Sequence, residues 1–596
     1  MTQALTSNNS LHSFHVPVMG IAFTIDSPIK LAPYGISSVI SLVDDELLEQ
    51  MRAFYSNIFS FRFEPITPKT FDSRANRVTA YLDMVKQIVD QKFQQMFEGD
   101  WFQNAQLQKY IQLLPSLSPA KKIYQTAIQN GFFSEEVKLE LRQLLHPGDI
   151  DVNIMTKLDK ENEFDGHKLE SIYNDAHAAL RGFANSTLSS SVVLSAGLNP
   201  RLYSYFGQFK DFFPNHLGQL KKRVILKISD YRSALIQGKF LAKKGIWVSE
   251  FRMESGLNCG GHAFATDGLL MGPILEEFKE NRQALKEELF GLYKTALLEL
   301  NHHIPATAPE QKFTAQGGVG TAEEHAYLLE NYELDSVGWG SPFLLVPEAT
   351  TVDEKTMQRL CEATESDLYL SYNSPLGVRF NNLRNLSMDD AKEQRIMFNR
   401  AGSPCPKRYS VLDKTFTEDP ICTASRQYQH LKLAEIKSGD LSGQALIDTT
   451  AKTLTKECLC VGLTNAALIA YDIPQKHYKE AVSICPGPNM AYFSKVLSLQ
   501  QMVEHIYGGN SVIERNDRPH VFIKELSLYL SYFEEALAEA KEPYTKQQQN
   551  YFNAFEENLR KGIAYYKGRF EPKVFDKEKQ DLAKLESRLE EIAALV

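Results

Sequence analysis

Short apolar segments alternate with helix-length segments along much of the chain before Asp353. β-branched and apolar runs at 35–43, 149–156, 191–197, 223–229 and 245–251 are typical of strands that are buried on both faces. A further short apolar run, at 16–20, ends in a glycine. Strands at this interval, with helices between them, predict an α/β fold with a parallel sheet. The sheet is either closed into a TIM (β/α)₈ barrel or doubly wound.

Two long segments interrupt this alternation. Between 46 and 146 the apolar residues fall at helical spacing with no strands among them, which predicts a helical insertion. The insertion separates the first barrel strands, in 1–45, from the remainder of the barrel, in 147–352. Beyond Asp353 the strand signal fades, so 353–596 is predicted to be a mainly helical C-terminal domain with scattered cysteines. Its last helix carries one apolar face: Leu582, Leu585, Leu589, Ile592 and Leu595.

Glycines follow two neighbouring strands near the end of the barrel pattern. The strand at 313–316 leads into Gly317, Gly318 and Gly320, and a helical segment begins at Thr321. One strand later the arrangement recurs with Gly338, Gly340 and Ser341. Glycine lets backbone amides approach a phosphate closely, and a helix N-terminus adds a positive dipole end. Such glycines can also form tight turns and nothing more, but two consecutive loops, where barrel enzymes hold a phosphate, favour an anion site.

Two titratable residues lie on other predicted strands. His262 follows Gly260 and Gly261 at a strand end, where a histidine can accept a proton from a carbon acid or simply hold structure. Lys227 lies within the apolar strand at 223–229. It either points into the barrel, where its ammonium would stabilise negative charge on a cofactor, or reaches the rim and pairs with an acid such as Asp230.

Composition restricts the partners. The net charge is −9 and there is no long basic run, which argues against nucleic acid as a partner. No apolar run approaches the ~20 residues that span a bilayer. The first residues lack a basic start followed by an apolar core, so no secretory signal is expected. A cytoplasmic protein with a small-molecule substrate and no membrane partner is predicted.

The seven cysteines are an odd number and are widely spread, which favours reduced thiols or metal ligands over disulfides. The C-terminal set has spacings that match no standard iron–sulfur or zinc motif, so free buried thiols are the favoured alternative to metal ligation. Cys259, beside Gly260, is either a reactive thiol or a small residue that fills space. The candidate metal ligands are Cys405, Cys422, Cys458, Cys460 and Cys485.

The residues singled out above resemble motifs of the nitronate monooxygenase (2-nitropropane dioxygenase-like) family of FMN-dependent TIM-barrel enzymes. The resemblance covers roughly 16–348 and is interrupted by the insertion. Cysteine replaces the family's alanine before Gly-Gly-His, and the insertion, the long helix after His262 and the C-terminal tail are foreign to the compact family. The family's Pro–Met, Val–Asn, Ala-Gly-Gly-His, Gly-Gly-Ile and Gly-Thr elements match Pro17 to Gly20, Val152 and Asn153, Cys259 to His262, Gly317 to Val319, and Gly340 to Ser341.

This resemblance implies an FMN-dependent oxidoreductase in which His262 takes a proton from a small carbon acid and the flavin accepts the electrons. Two alternatives remain open from the sequence. One is an NAD(P)H-dependent flavin reductase whose C-terminal cysteines hold an iron–sulfur cluster, and the other is a barrel that binds a phosphorylated ligand without turnover. In the first hypothesis Met19, Asn153 and Lys227 contact the flavin ring, and Gly318, Gly320, Gly340 and Ser341 hold its phosphate. The other predicted cofactor-binding residues are Gly20, Gly261, Gly317 and Gly338.

Overall fold

The computed structural model describes residues 11–195, 197–262, 266–475, 481–540, 543–570 and 575–594. Ala196 and Leu595, which belong to predicted elements, lie outside these residues. So do the first ten residues and Phe264, which follows the Gly-Gly-His motif.

Eight parallel strands form the central sheet, and they follow one another around it in chain order. Each strand pairs with the next, and the last pairs with the first through Phe14–Val337 and His15–Gly338. Between the first two strands a bridge joins Val16 to Ser38, with Val16 N–H donating to Ser37 O at 3.0 Å. The strands therefore form a (β/α)₈ barrel, as predicted. They are β1 Phe14–His15, β2 Ser38–Ser41, β3 Ile150–Met155, β4 Ser190–Ser195, β5 Lys222–Ile228, β6 Val248–Glu254, β7 Lys312–Gln316 and β8 Ser336–Gly338.

The predicted helical insertion lies between β2 and β3 and contains five helices. Asp44 starts it, because its side chain accepts the Leu47 N–H at 3.0 Å and caps the first of them. The short helix α1, Ser27–Leu31, precedes β2. The insertion comprises α2 Asp45–Ile58, α3 Ser73–Gln95, α4 Ala105–Leu113, α5 Pro119–Asn130 and α6 Glu135–Leu144.

The remaining barrel strands alternate with helices, as a barrel requires. Side-chain caps fix several helix starts, such as Asp230 for the helix after β5 and Thr321 for the helix after β7. A two-residue hairpin, Glu163–Phe164 with His167–Lys168, follows β3. The helices are α7 Asp175–Asn185, α8 Pro200–Tyr205, α9 Tyr231–Ala242, α10 Met271–Glu299, α11 Ala322–Tyr332 and α12 Glu354–Cys361.

The C-terminal region is mainly helical, as predicted, but it begins with a strand pair that the sequence did not indicate. The antiparallel hairpin of β9, Leu368–Ser371, and β10, Phe380–Leu383, lies where the strand signal fades. None of the described helices combines the length and apolar character needed to cross a membrane. The helices are α13 Ser387–Met397, α14 Arg426–Ser438, α15 Gly443–Thr455, α16 Leu459–Ala470, α17 Leu499–Ile506, α18 Val521–Glu539, α19 Lys546–Arg569 and α20 Asp576–Ala593.

Buried polar contacts fix this C-terminal region onto the end of the barrel. Asp44, which is 1% exposed, forms an ion pair with Lys407 and accepts hydrogen bonds from Tyr409 Oη at 3.0 Å and Thr464 Oγ1 at 2.9 Å. A buried carboxylate is unfavourable unless it is paired, so moving the C-terminal region away from Asp44 would cost free energy. The C-terminal region therefore covers the end of the barrel where β2 finishes.

Candidate active site

A cavity occupies the end of the barrel at which the strands finish. It leaves about 870 Å³ of space unfilled by protein, part of it open to solvent. Strand ends, or the loops just after them, supply Gly20, Asn153, Ser195, Lys227 and Glu254 to its wall. Barrel enzymes carry their sites at this end. The position of the cavity therefore suits a small-molecule site.

The β9–β10 hairpin and α16 close this cavity from above. Ser374 and Phe380 of the hairpin, and Leu459 and Cys460 at the start of α16, complete its wall. The hairpin is held in place by its backbone, since Asn381 N–H donates to Gly261 O at 2.6 Å. No sequence pattern predicted a place for Ser374, Phe380 or Leu459 in this site, because only the tertiary fold brings them to the barrel mouth. Cys460 was predicted only as a metal ligand.

His262 lines the cavity and is neutral at physiological pH. Its Nε2 lies 2.8 Å from Ser374 Oγ, and its ring meets Phe380 edge-on with centroids 5.2 Å apart. Burial, reinforced by the charges of Lys157 and Lys227, lowers the pKa of His262 to about 4. Only a neutral imidazole accepts a proton. Both the position and the protonation state of His262 therefore suit a proton acceptor.

Lys227 points toward the cavity and pairs with a carboxylate on the neighbouring strand. Its Nζ lies 2.7 Å from Glu254 Oε1, which also accepts Gln316 Nε2–H at 2.7 Å. Asp230, the partner that the rim alternative named, instead accepts the Ser233 N–H at 2.6 Å and caps α9. The cavity therefore offers a ligand one cation and one anion side by side.

Two buried amide oxygens near this cavity are unsatisfied. Asn153 Oδ1 and Asn258 Oδ1 have no hydrogen-bond partner within the described ranges, although both residues line the cavity. The side-chain nitrogen of Asn258 is used, since it donates to His262 O at 3.2 Å. Buried polar atoms are nearly always hydrogen-bonded in native proteins. The N–H groups of a bound heterocycle would supply the missing partners.

A smaller cavity adjoins the first and is lined by the predicted phosphate loops. It leaves about 300 Å³ unfilled, and Asn258 belongs to the walls of both cavities. Gly317 and Gly318 have φ of +113° and +82°, which favour glycine. A Cβ on Gly318 would lie 2.6 Å from Leu257 Cδ1, so glycine is also required by space. The predicted residues Gly317, Gly318, Gly338, Gly340 and Ser341 all line this second cavity.

Backbone amides in these loops are available for an anion. Among the described residues, no acceptor receives a hydrogen bond from the N–H of Gly317, Gly318, Val319 or Gly340. A concave group of free amides is a typical anion-binding arrangement. Ser341 Oγ accepts the Gly487 N–H at 2.8 Å, a bond that does not use its own O–H. The loop amides are therefore available to a phosphate, and the role of Ser341 stays a prediction.

Gly320 has a different role from its neighbours. Its N–H donates to Glu324 Oε2 at 2.9 Å, and that carboxylate pairs with Arg518 at 2.7 Å. A Cβ on Gly320 would lie 2.7 Å from the Arg518 guanidinium. Arg518 also donates to Gly318 O at 2.8 Å. Gly320 thus makes room for an arginine that braces the loop from the C-terminal region.

The two other predicted cofactor-binding residues, Met19 and Gly261, lie beside the cavity. Met19 is fully buried in the apolar core, and its neighbours Val18 and Gly20 supply the cavity wall. Gly261, with φ of +89°, backs onto the hairpin, because a Cβ there would lie 2.0 Å from the Phe380 ring. These glycine and methionine positions shape the wall on which a ligand would rest.

The candidate metal ligands fall into two groups. Cys485 lies against Cys259, close to Ser341, where burial raises the pKa of Cys259 to about 11 and keeps the thiol protonated. The other four lie apart from these: Cys458 and Cys460 share one buried cluster, and Cys405 packs against the cluster that contains Cys422. Across the described ranges, no three or more His, Cys, Asp or Glu side chains are arranged to hold a metal ion. The structure thus gives no support to an iron–sulfur cluster.

The fold and the two cavities define a (β/α)₈-barrel protein whose C-terminal region lies over two adjoining cavities at the barrel mouth. No known family model matches the sequence, and neither does any curated protein. Among solved structures, the enoyl reductase domain of MlnA from the macrolactin biosynthesis cluster of Bacillus amyloliquefaciens is 14% identical, with 74% of this chain and 88% of that chain covered and a TM-score of 0.33. FabK from Thermotoga maritima is 13% identical, with 63% and 79% covered and a TM-score of 0.32. These likenesses are loose, and the barrel assignment rests on the strand pairing.

Proposed function

We propose that this chain is an FMN-dependent oxidoreductase that oxidises a small carbon acid, with a nitronate-type compound as the first candidate. The observation that carries the proposal is the pair of adjoining cavities that share Asn258. One has unsatisfied amide oxygens and a neutral histidine, and the other has free backbone amides. A planar heterocycle joined to a phosphate matches that combination.

The chain's own residues suggest how FMN would be held. Its phosphate would accept hydrogen bonds from the amides of Gly317, Gly318, Val319 and Gly340, as anions do at such loops. Its ring would lie in the larger cavity, with Asn153 accepting from a ring N–H. Bound there, FMN would supply a two-electron acceptor beside the substrate.

His262 would take the proton from the substrate carbon. Its neutral ring is held by Ser374 at Nε2 and by the edge contact with Phe380. A held ring loses little freedom when the substrate binds, which favours proton transfer. Lys227, already paired with Glu254, would stabilise negative charge that develops near it.

The cap would select small substrates and exclude water. Phe380, Leu459 and Leu463 present apolar surface to the cavity opposite the polar strand ends. Between these apolar cap residues and the polar strand ends there is room for one compact molecule with an acidic C–H and a polar group. The nitronate resemblance of the Gly-Gly-His motif supports this substrate class.

The first test is the identity of the bound cofactor and its loss in a cavity-filling variant. Gly260 lines the larger cavity, and a Cβ there would meet no atom within 4 Å. Gly260→Leu should therefore fold normally while its side chain occupies the ring site. Purified wild-type protein should be yellow and release FMN on heating, and the variant should be colourless.

Gly207→Leu is the matched control, because that glycine is exposed and also has no atom within 4 Å of a Cβ. It should retain the flavin. Gly318→Asp and Gly340→Asp should also lose it, since each places a negative charge among the phosphate-binding amides. Release of FAD alone would refute the proposal, and so would unchanged flavin content in Gly260→Leu.

A further inference from the structure

A second large cavity lies in the C-terminal region, between α13, α14 and α15. About 2240 Å³ of its volume is unfilled, part of it open to solvent. Its lining includes the apolar residues Val411, Ile421 and Leu433. The barrel-mouth site described above has no lining residue in common with it. This cavity needs a separate explanation.

The Arg, Lys and His residues that line this cavity give it a positive charge. Five of its lining residues are basic and none is acidic, although the whole chain has a net charge of −9. Within the described part of the chain, Arg400, Arg408 and Arg426 form no ion pair with a carboxylate. Unpaired cations that surround a concave surface attract anionic ligands and raise their local concentration. The basic residues are Arg400, Arg408, Arg426, His430 and Lys437.

Two cysteine side chains, Cys405 and Cys422, lie together in the wall of this cavity. Backbone bonds join the segments that carry them, because Ser403 N–H donates to Ala424 O at 2.9 Å and Arg426 N–H donates to Ser403 O at 2.7 Å. Both bonds involve Ser403, two residues before Cys405, and residues shortly after Cys422. The side chains also pack together, since Cys405 lies against the buried cluster that contains Cys422.

The two thiols have different surroundings. Cys405 is partly exposed at the cavity, where Arg408 also lines the wall. Cys422 is only 4% exposed. An accessible thiol beside a buried one is the usual arrangement of an attacking and a resolving cysteine.

We propose that Cys405 and Cys422 form a redox-active dithiol that reduces small anionic disulfides bound in the cationic cavity. The Cys405 sulfur attacks one substrate sulfur, the substrate S–S bond breaks, and the first thiol leaves. Cys422 then loses its proton to solvent and attacks Cys405 Sγ, so that the second thiol leaves. Two electrons pass from the cysteine pair to the two substrate sulfurs, and the protein retains a Cys405–Cys422 disulfide.

The reaction can be measured with dithiobis(nitrobenzoate), a dianionic aromatic disulfide that releases a coloured thiol. The full-length native protein should release two coloured thiolates in a fast phase, and intact mass should then show the loss of two hydrogens with no adduct. Cys422→Ser should release one and keep a mixed disulfide, and Cys405→Ser should lose the fast phase. Cys361→Ser is the control, because Cys361 lies outside this cavity and should leave the fast phase unchanged.

The charge requirement has its own test. A neutral disulfide, dithiodipyridine, should react with the pair without benefit from the arginines. Arg426→Gln should slow the dianionic probe about tenfold at low salt, an effect typical of lost electrostatic steering, and leave the neutral probe nearly unchanged. Arg201→Gln, at an exposed site on α8, is the matched charge control. Equal slowing of both probes would refute an anion-binding cavity.

Further results would overturn the dithiol itself. Stoichiometric iron with labile sulfide, or stoichiometric zinc, in anaerobically purified protein would assign the thiols to a metal. An adduct that persists on the wild type would show that Cys422 does not resolve it. If Cys422→Ser is unstable, Cys422→Ala replaces it. None of these measurements requires flavin, so their outcome is independent of the function proposed for the barrel mouth.

Discussion

The lowered pKa of His262 makes a quantitative prediction about the pH dependence of substrate oxidation. A free histidine has a pKa near 6.5, whereas burial and the charges of Lys157 and Lys227 place that of His262 at about 4. The ring should thus stay neutral throughout the range in which an ordinary histidine becomes protonated. A base that must be neutral would then keep its activity in mild acid.

The size of the effect follows from the two pKa values. At pH 5 a group with pKa about 4 is still roughly 90% neutral, so the rate should differ less than about twofold between pH 7 and pH 5. A histidine with the ordinary pKa would be about 3% neutral at pH 5, and the rate would fall roughly 25-fold. His262→Asn should reduce the rate about 10²- to 10⁴-fold at every pH, as expected when a general base is removed.

The assay is anaerobic stopped-flow reduction of the flavin by a carbon acid that does not itself titrate between pH 5 and 8. Histidine NMR gives an independent reading, with the His262 resonance assigned by its absence in His262→Asn. A pKa near 6.5 with a 25-fold fall in rate would refute the claim that burial keeps the ring neutral. An unchanged rate in His262→Asn would show that His262 is not the base.

Two further predictions concern stability. Trp339 Nε1–H donates to His325 Nδ1 at 3.2 Å, and burial lowers the pKa of His325 to about 4. As the pH falls below 6.5, the unfolded chain therefore takes up a proton at this histidine before the folded protein does. Between pH 7 and pH 5 the free energy of unfolding should fall by about 2 kcal/mol more in wild type than in His325→Gln. Equal losses in denaturant unfolding would contradict this. Arg518→Met should lower the free energy of unfolding by about 3–5 kcal/mol, because it leaves the buried Glu324 carboxylate without its cation. Adding Glu324→Gln should restore much of that stability. Additive costs in that double-variant cycle would argue against a coupled pair.

The barrel was predictable because its strands carry a strong local pattern. Val192, Val193 and Leu194 are buried on both faces of the sheet, so the strand is apolar throughout. The glycine loops were recognisable for a similar reason. Gly317 and Gly318 adopt positive φ angles, and glycine is the residue type that readily does so. Features that depend only on residues close by in the chain could therefore be predicted from the sequence.

The C-terminal elements that cover the cavity, and the ion-pair partner of Lys227, were not predictable, since residues distant in the chain determine them. The strand β10 is Phe380–Leu383 and carries two buried asparagines, which ordinary strand propensity disfavours. Lys227 pairs with Glu254 on the next strand and not with nearby Asp230, because parallel pairing places Lys227 beside Arg252 and brings Glu254 within reach. Such contacts become visible only when the fold has set strands side by side.

The long-range closure of the barrel has a consequence for the order of assembly during synthesis. β1 pairs with β8, more than 300 residues further along the chain, and the cavity wall requires Phe380 and Leu459, which are translated later still. Such distant pairings are slow to form and leave strand edges exposed meanwhile. A nascent chain on the ribosome therefore carries an open sheet until Val337 emerges. It can enclose a ligand only after α16 has been made, so the pocket is completed late in translation.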